Sequence, residues 1–130
     1  MRVFKTKWFS HFARKEGISD QKLIAAVREI ENGLNDADLG GGLVKKRVAR
    51  AGQGKRSGYR TIIVYRAGDL AIFLYGFPKS AKANLSPLEM DVYRKLAQIF
   101  LDFSDTDMEK ASKEGEVEEI SYGSEKEISD

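Results

Sequence analysis

The sequence predicts a single α+β domain, and three observations carry that prediction. Apolar residues recur at helical spacing near the N-terminus and again after Pro87. Between them, Leu43 to Phe77 is rich in β-branched and aromatic residues punctuated by glycine-bearing turns, the pattern of consecutive antiparallel strands. No internal repeat or linker divides the body, and 130 residues suffice for one domain with a core of its own.

Taken in order, Met1 to Lys5 reads as a short strand, with Val3 between Arg2 and Phe4. Thr6 to Lys15 reads as a helix, because Trp8 and Phe12 fall at i and i+4, and Gly17 is its stop signal. Its aromatic cluster of Trp8, Phe9 and Phe12 reads as core, with base stacking as the alternative. Ser19 and Asp20 offer caps for a second helix whose stripe is Leu23, Val27, Ile30 and Leu34, ending at Asn32-Gly33. Asp36 to Gly42 reads as a loop closing on three glycines. It lacks the GxxxxGK[ST] pattern and no helix start follows, so a phosphate-cradling role is set aside for a flexible connection.

A hairpin is then expected over Leu43–Arg50 and Tyr59–Arg66, with the glycine-rich segment 52–58 as its connection. Ala67-Gly68-Asp69 turns into a third strand, Leu70 to Phe77, which is apolar on both faces and so belongs under cover, with Pro78 as its end. Ser86-Pro87-Leu88-Glu89 is a helix start: Ser86 at the N-cap, Pro87 at N1 and Glu89 able to complete a capping box. Leu88, Val92, Leu96, Ile99, Phe100 and Phe103 then predict an amphipathic helix to about residue 103. Residues 104–130 read as an acidic tail, disordered or loosely docked.

Charge sharpens this organisation. The formal net charge is +2, but residues 1–103 carry 19 Lys/Arg against 10 Asp/Glu, and residues 104–130 carry 3 against 10. The positive excess concentrates in the hairpin. Leu43 to Arg66 holds Lys45, Lys46, Arg47, Arg50, Lys55, Arg56, Arg60 and Arg66, and no acidic residue. Eight cations on one hairpin exceed what blunting an exposed strand edge requires, and they point to a polyanion.

Other chemistries are poorly supplied. There is no cysteine, hence no disulfide framework or thiolate site. The sole histidine is His11, which reads as structural or surface-exposed, and no metal site or cofactor is implied. The apolar runs are too short to span a bilayer, and a cytoplasmic protein without a membrane partner is expected. Cleavage of RNA needs less equipment, because the 2′-hydroxyl is an internal nucleophile. A base removes its proton, cations stabilise the anionic phosphorus centre, and an acid protonates the leaving 5′-oxygen. Arginine clamps phosphate through two donors, and tyrosine stacks on bases or exchanges protons. The hairpin holds these parts in Arg47, Arg50, Tyr59, Arg60, Tyr65 and Arg66, and simple RNA binding would use the same parts.

The order strand–helix–helix–three strands–helix resembles the RelE/ParE superfamily of toxins from type II toxin–antitoxin modules. The most specific segments are GQGKRSGYRTIIVYR, GDLAIFLYGFPKS and the helix with LEMDVYRKLAQ, and the resemblance covers about residues 1–103. It implies a RelE-like, antiparallel-dominated sheet with two N-terminal helices and one C-terminal helix. It further implies a cognate antitoxin, of helix-turn-helix type, and metal-independent cleavage of mRNA on the ribosome. Gly58-Tyr59-Arg60 corresponds to the superfamily's Gly-x-Arg element, so the resemblance assigns phosphate stabilisation to Arg60, and Lys45, Lys46 and Arg47 correspond in character to the basic residues of the preceding strand. With Arg50, Lys55, Arg56 and Arg66 of the same basic hairpin they are the expected RNA contacts. RelE-like nucleases often end their last strand with Arg or His and a nearby Tyr. Here the region reads Tyr75-Gly76-Phe77-Pro78-Lys79-Ser80, which leaves Lys79 or a tyrosine such as Tyr59 for proton transfer. A gyrase-binding inhibitor of ParE type and a non-catalytic RNA-binding protein remain as alternatives.

Overall fold

The computed structural model describes residues 1–50 and 58–120. The elements are β1 (Arg2–Thr6), α1 (Lys7–Glu16), α2 (Asp20–Glu31), β2 (Ala37–Gly40), β3 (Leu43–Val48), β4 (Tyr59–Arg66), β5 (Leu70–Pro78), α3 (Pro87–Leu101), α4 (Asp105–Lys113) and β6 (Val117–Ile120). The strands form one sheet in the order β2-β3-β4-β5-β1-β6. The β1–β5 pair is parallel and the other pairs are antiparallel. The α+β prediction holds, with α4, β2 and β6 added to the expected elements. No described helix is long and apolar enough to cross a membrane.

The sheet is covered on both faces. On one, Phe9 and Ala13 of α1 and Leu23, Val27 and Ile30 of α2 pack on Val3, Val44, Ile63, Ala71 and Phe73. On the other, Ala97 and Phe100 of α3 and Met108 and Ala111 of α4 pack on Phe4, Leu43, Ile62, Val64 and Ile72. Successive residues of a strand point to opposite faces, so β5 must be apolar at nearly every position to serve both layers. Each such side chain contributes roughly 1.5–3 kcal/mol when fully buried.

One irregularity in β5 matters for the site. Ile62 of β4 pairs with Tyr75, but Ile63 pairs with Phe73, so Leu74 is an extra residue. Such a bulge reverses the alternation beyond it. Leu74 and Tyr75, though adjacent, both lie against the α3–α4 layer, as does Phe77. Gly76 is thereby turned to the α1 layer, where a Cβ would stand 2.6 Å from the Phe12 ring.

Three sequence expectations change. Leu34 falls beyond the end of α2 and is 59% exposed, so the buried stripe stops at Ile30. Helix α3 starts as read, with Ser86 and Glu89 closing the capping box. However, Leu88, Val92 and Ile99 of its expected stripe are exposed. The helix lies on the sheet through fully buried Ala97 and through Phe100, and small Ala97 lets the backbone approach closely. Third, the expected loop at 36–42 contains β2, paired to β3 with a register shift between Asp38 and Gly40. Gly40, Gly41 and Gly42 all have positive φ, which only glycine adopts without strain.

Part of the acidic segment read as a disordered tail also belongs to the fold. Ser104 caps α4 through a capping box with Asp107, and β6 pairs antiparallel with β1. Its few apolar residues, Met108, Ala111, Val117 and Ile120, are all buried. Its carboxylates meet the basic residues of β1: Arg2 bonds Glu109 and Glu119, each at 2.9 Å, and Lys5 lies 3.6 Å from Glu118. The expected boundary at 103–104 is therefore corrected as far as residue 120, and residues 121–130 lie outside the described residues.

Candidate nucleic-acid interface

Strand register builds the interface. In the β3–β4 pair Arg47 lies opposite Arg60 and Lys45 opposite Ile62. Because Ile62 and Val64 face the α3–α4 layer, the period of two places Lys45, Arg47 and Arg60 on that same side. Arg60 in turn lies opposite Phe77 of β5. Two like charges directly opposed across strands destabilise the pair. Asp36 relieves one of them, accepting from both the backbone N–H and the Nε of Arg47. Arg60 has no such relief: its Nη1 is buried and has no hydrogen-bond partner among the described residues. A buried donor left unmade costs about 1–3 kcal/mol, a cost that an acceptor brought to the site would remove. Arg50 Nε on the other face is buried and unpartnered among the described residues in the same way.

The segment after β5 folds over this face. Lys45 Nζ donates to Asn84 Oδ1 at 2.9 Å. Lys82 Nζ stands 5.1 Å from the centre of the Tyr75 ring and 5.0 Å from that of Phe77, within cation–π range. Glu89, which already completes the capping box of α3 by accepting from the Ser86 N–H, also accepts from Lys82 at 2.5 Å. This contact raises the Lys82 ammonium above its usual value and holds the Glu89 carboxyl below its own. Lys82 is thus a permanent cation at neutral pH. Tyr93 stacks on Tyr75 with ring centres 5.0 Å apart, and burial pushes its phenol up to about 12. It can donate a hydrogen bond but cannot serve as a base near neutrality.

The Lys82–Glu89 pair gives a testable pH dependence. A carboxyl held below its unfolded value stabilises the fold above that value, and the contribution is lost as pH falls through the folded one. Glu89→Gln keeps the capping geometry, since glutamine also completes a capping box. The variant is expected to lose at most about 1 kcal/mol at pH 7, as both groups are partly solvated. Thermal unfolding of the two proteins should then converge as pH falls below the ordinary 4.5.

The other predicted residues are distributed differently. Tyr59 is the immediate neighbour of Arg60 and therefore points to the opposite face. Its phenol is buried there and donates to Glu16 Oε1 at 2.9 Å, and burial raises its pKa. The expectation that Tyr59 exchanges protons beside Arg60 is corrected on that ground. Arg50 lies on Tyr59's side, its guanidinium 5.2 Å from that ring. Lys46 is 4% exposed and pairs with Glu29 at 2.7 Å, so it is a structural cation rather than a free RNA contact. Arg66 bonds Asp69 and the Leu101 carbonyl at the far end of β4. Lys79 is exposed, and its backbone N–H bonds the Gly58 carbonyl at 3.1 Å, which ties the end of β5 to the start of β4. Lys55 and Arg56 lie outside the described residues.

His11 is exposed and lines a cleft of about 620 Å³ between α1 and β6, where no residue of the predicted set takes part. That cleft mixes Lys7 and Arg14 with Glu118 and Glu119, a poor match for a polyanion.

A family model described as the RelE toxin of the RelE/RelB toxin–antitoxin system matches residues 1–120. The chain belongs to the RelE toxin family. A search of curated proteins finds no match. The match takes in α4 and β6, beyond the 1–103 read from the sequence, in agreement with the packing of α4 on the sheet and the pairing of β6 with β1. Membership makes this RelE-family chain the toxin of a toxin–antitoxin pair and implies an antitoxin partner. Within the RelE-family fold, Lys82, Tyr75, Phe77 and Tyr93 join the basic face although the sequence reading did not select them. Lys82 had a visible signal, since it lies in a basic segment directly after an apolar strand. Tyr75 and Phe77 had none, because the bulge at Leu74 decides their side.

Proposed function

We propose that the face carrying Lys45, Arg47, Arg60 and Lys82 binds mRNA and cleaves it, without need of a metal ion, on the ribosome in the cytoplasm. The observation that carries this reading is the buried, unpartnered Nη1 of Arg60 within a cluster of cations. A phosphate oxygen supplies the missing acceptor. The same contact strengthens as charge builds on phosphorus, which is how a donor lowers a barrier rather than merely binding. Arg47 and Lys45 position the backbone, and Lys82, held charged by Glu89, adds to the field. Proton transfer falls to Lys79 at the end of β5 or to Tyr75 on the same face, and the antitoxin, of helix-turn-helix type, masks this surface.

The expected result is cleavage of ribosome-engaged mRNA that survives a chelator and leaves a 5′-hydroxyl end. Binding of single-stranded RNA should also fall steeply between about 50 and 200 mM salt, because each phosphate contact releases counterions. A flat salt response would remove the RNA reading. Inhibition of supercoiling without RNA cleavage would favour a gyrase-directed toxin.

A further inference from the structure

We propose that Trp8 is a nucleobase-stacking platform at the edge of the basic face, receiving a base of single-stranded RNA next to the phosphate held by Arg60. This rests on the RNA reading above and adds to it the group that contacts a base. Trp8 is the one tryptophan of the chain, and it is 49% exposed. An indole left half in water forgoes much of the burial its size would allow and offers part of its surface to a ligand.

Its setting is rigid. Thr6 ends β1 and caps α1: its Oγ1 accepts from the Phe9 N–H at 3.1 Å and donates to the Leu74 carbonyl at 3.3 Å. The first turn of α1 is thereby fixed to the bulge in β5. Pairing of β1 with β5 runs only as far as Lys5 and Phe73, so the indole stands beside the part of β5 that β1 no longer covers. Phe12 stacks on Trp8 with ring centres 5.3 Å apart and planes 12° apart. Phe12 is itself wedged against Gly76 and Tyr59. Trp8 therefore needs little ordering when a ligand arrives, which favours affinity.

Its connection to the phosphate site is continuous. The Trp8 and Tyr75 rings are 4.9 Å apart, Tyr75 and Phe77 are 5.7 Å apart, and Phe77 lies opposite Arg60. An aromatic path thus ends at a cation, with Lys82 over two of its rings, and charge beside rings is how proteins hold single strands: charge tracks the backbone and rings take the bases. Charge on the helix agrees. The first turn of α1 has no acidic residue, and exposed Lys7 precedes Trp8. An exposed tryptophan also suits a protein interface. The aromatic path to Arg60, whose buried Nη1 has no partner among the described residues, favours the nucleic acid.

A single tryptophan makes the test direct, because indole fluorescence reports this one site. The full-length protein is titrated with a non-cleavable oligoribonucleotide of about eight nucleotides, within the span of one single-stranded site. A matched oligomer carrying abasic residues is titrated in parallel. Anisotropy of a dye on each oligomer reads binding independently of the tryptophan. The expected result is saturable quenching by the oligomer with bases and little by the abasic one. Trp8→Ala should weaken binding of the first by about tenfold, within the range of one base–aromatic stack, and leave the second unchanged. Trp8→Phe should retain most of the affinity, which separates loss of the platform from loss of the fold. Equal quenching by both oligomers, or equal RNA affinity in Trp8→Ala and wild type, overturns the proposal. So does a Trp8→Ala protein that keeps RNA but loses its antitoxin. If neither oligomer binds the wild-type protein at low salt, the RNA reading itself fails and takes this inference with it.

Discussion

Arg60→Ala is expected to lower turnover on ribosome-engaged mRNA by about 10²–10³-fold, the usual loss when one donor to a developing anion is removed. Among the described residues its buried Nη1 has no partner. Deleting it leaves no acceptor stranded at that nitrogen and removes a cation opposed to Arg47. The thermal midpoint should therefore stay near that of the wild type or rise. That separation of activity from stability distinguishes a residue held for a ligand from one held for the fold. The loss should appear equally in kcat and kcat/KM, the pattern of an interaction made in the transition state. Arg60→Lys should recover only part of the rate, because an ammonium keeps the charge but cannot offer two parallel donors to one phosphate. Single-turnover cleavage with a melting control decides the matter. An unchanged rate in Arg60→Ala would take this residue out of the mechanism.

What the sequence could and could not tell follows from the range of the interactions involved. The start of α3 was legible because Ser86, Pro87 and Glu89 act within one turn of each other. The α2 stripe was legible to Ile30 because the helix repeat is local, and it failed at Leu34 because the chain leaves the helix at Asn32. β5 was legible as a covered strand, since a run apolar on both faces has few other homes. β6 was not, because four residues with two exposed glutamates gain their place from β1, more than a hundred positions away. The acidic composition looked like a tail, yet in the folded chain Arg2 pairs with Glu109 and Glu119, and Lys5 with Glu118. The site divides in the same way. Its charge was plain, and so was the partner class that charge suits. That Tyr59 and Arg60 cannot share a face follows from strand alternation alone and needed no structure. The recruitment of Tyr75 and Phe77 did need one, because a single extra residue at Leu74 inverts the parity of everything after it.

Gly58→Ala should be among the most damaging single-methyl changes available to this chain, and it should damage stability and RNA binding together. A Cβ at position 58 would stand 2.1 Å from the Val48 carbonyl oxygen and 3.0 Å from both the Ala49 Cα and the Arg50 nitrogen. All three are backbone atoms, so no side chain can rotate away and the two strands must part. Val48–Tyr59 is the first pair to be strained, and Arg47–Arg60 is the next. The Gly58 carbonyl also accepts from the Lys79 N–H, so the end of β5 moves as well. Overpacking costs typically about 1–3 kcal/mol, and a clash with backbone belongs at the upper end. A fall in thermal midpoint on the order of 10 °C is expected for a domain of this size. Gly17→Ala is the control. Gly17 has a φ of +73° but no atom within 4 Å of an added Cβ. It should cost only the strain of a left-handed residue, about 1–2 kcal/mol, and leave RNA affinity untouched because it lies at the end of α1. If Gly58→Ala melts with the wild type and binds RNA as well, strand approach at that point does not set the register of the two arginines.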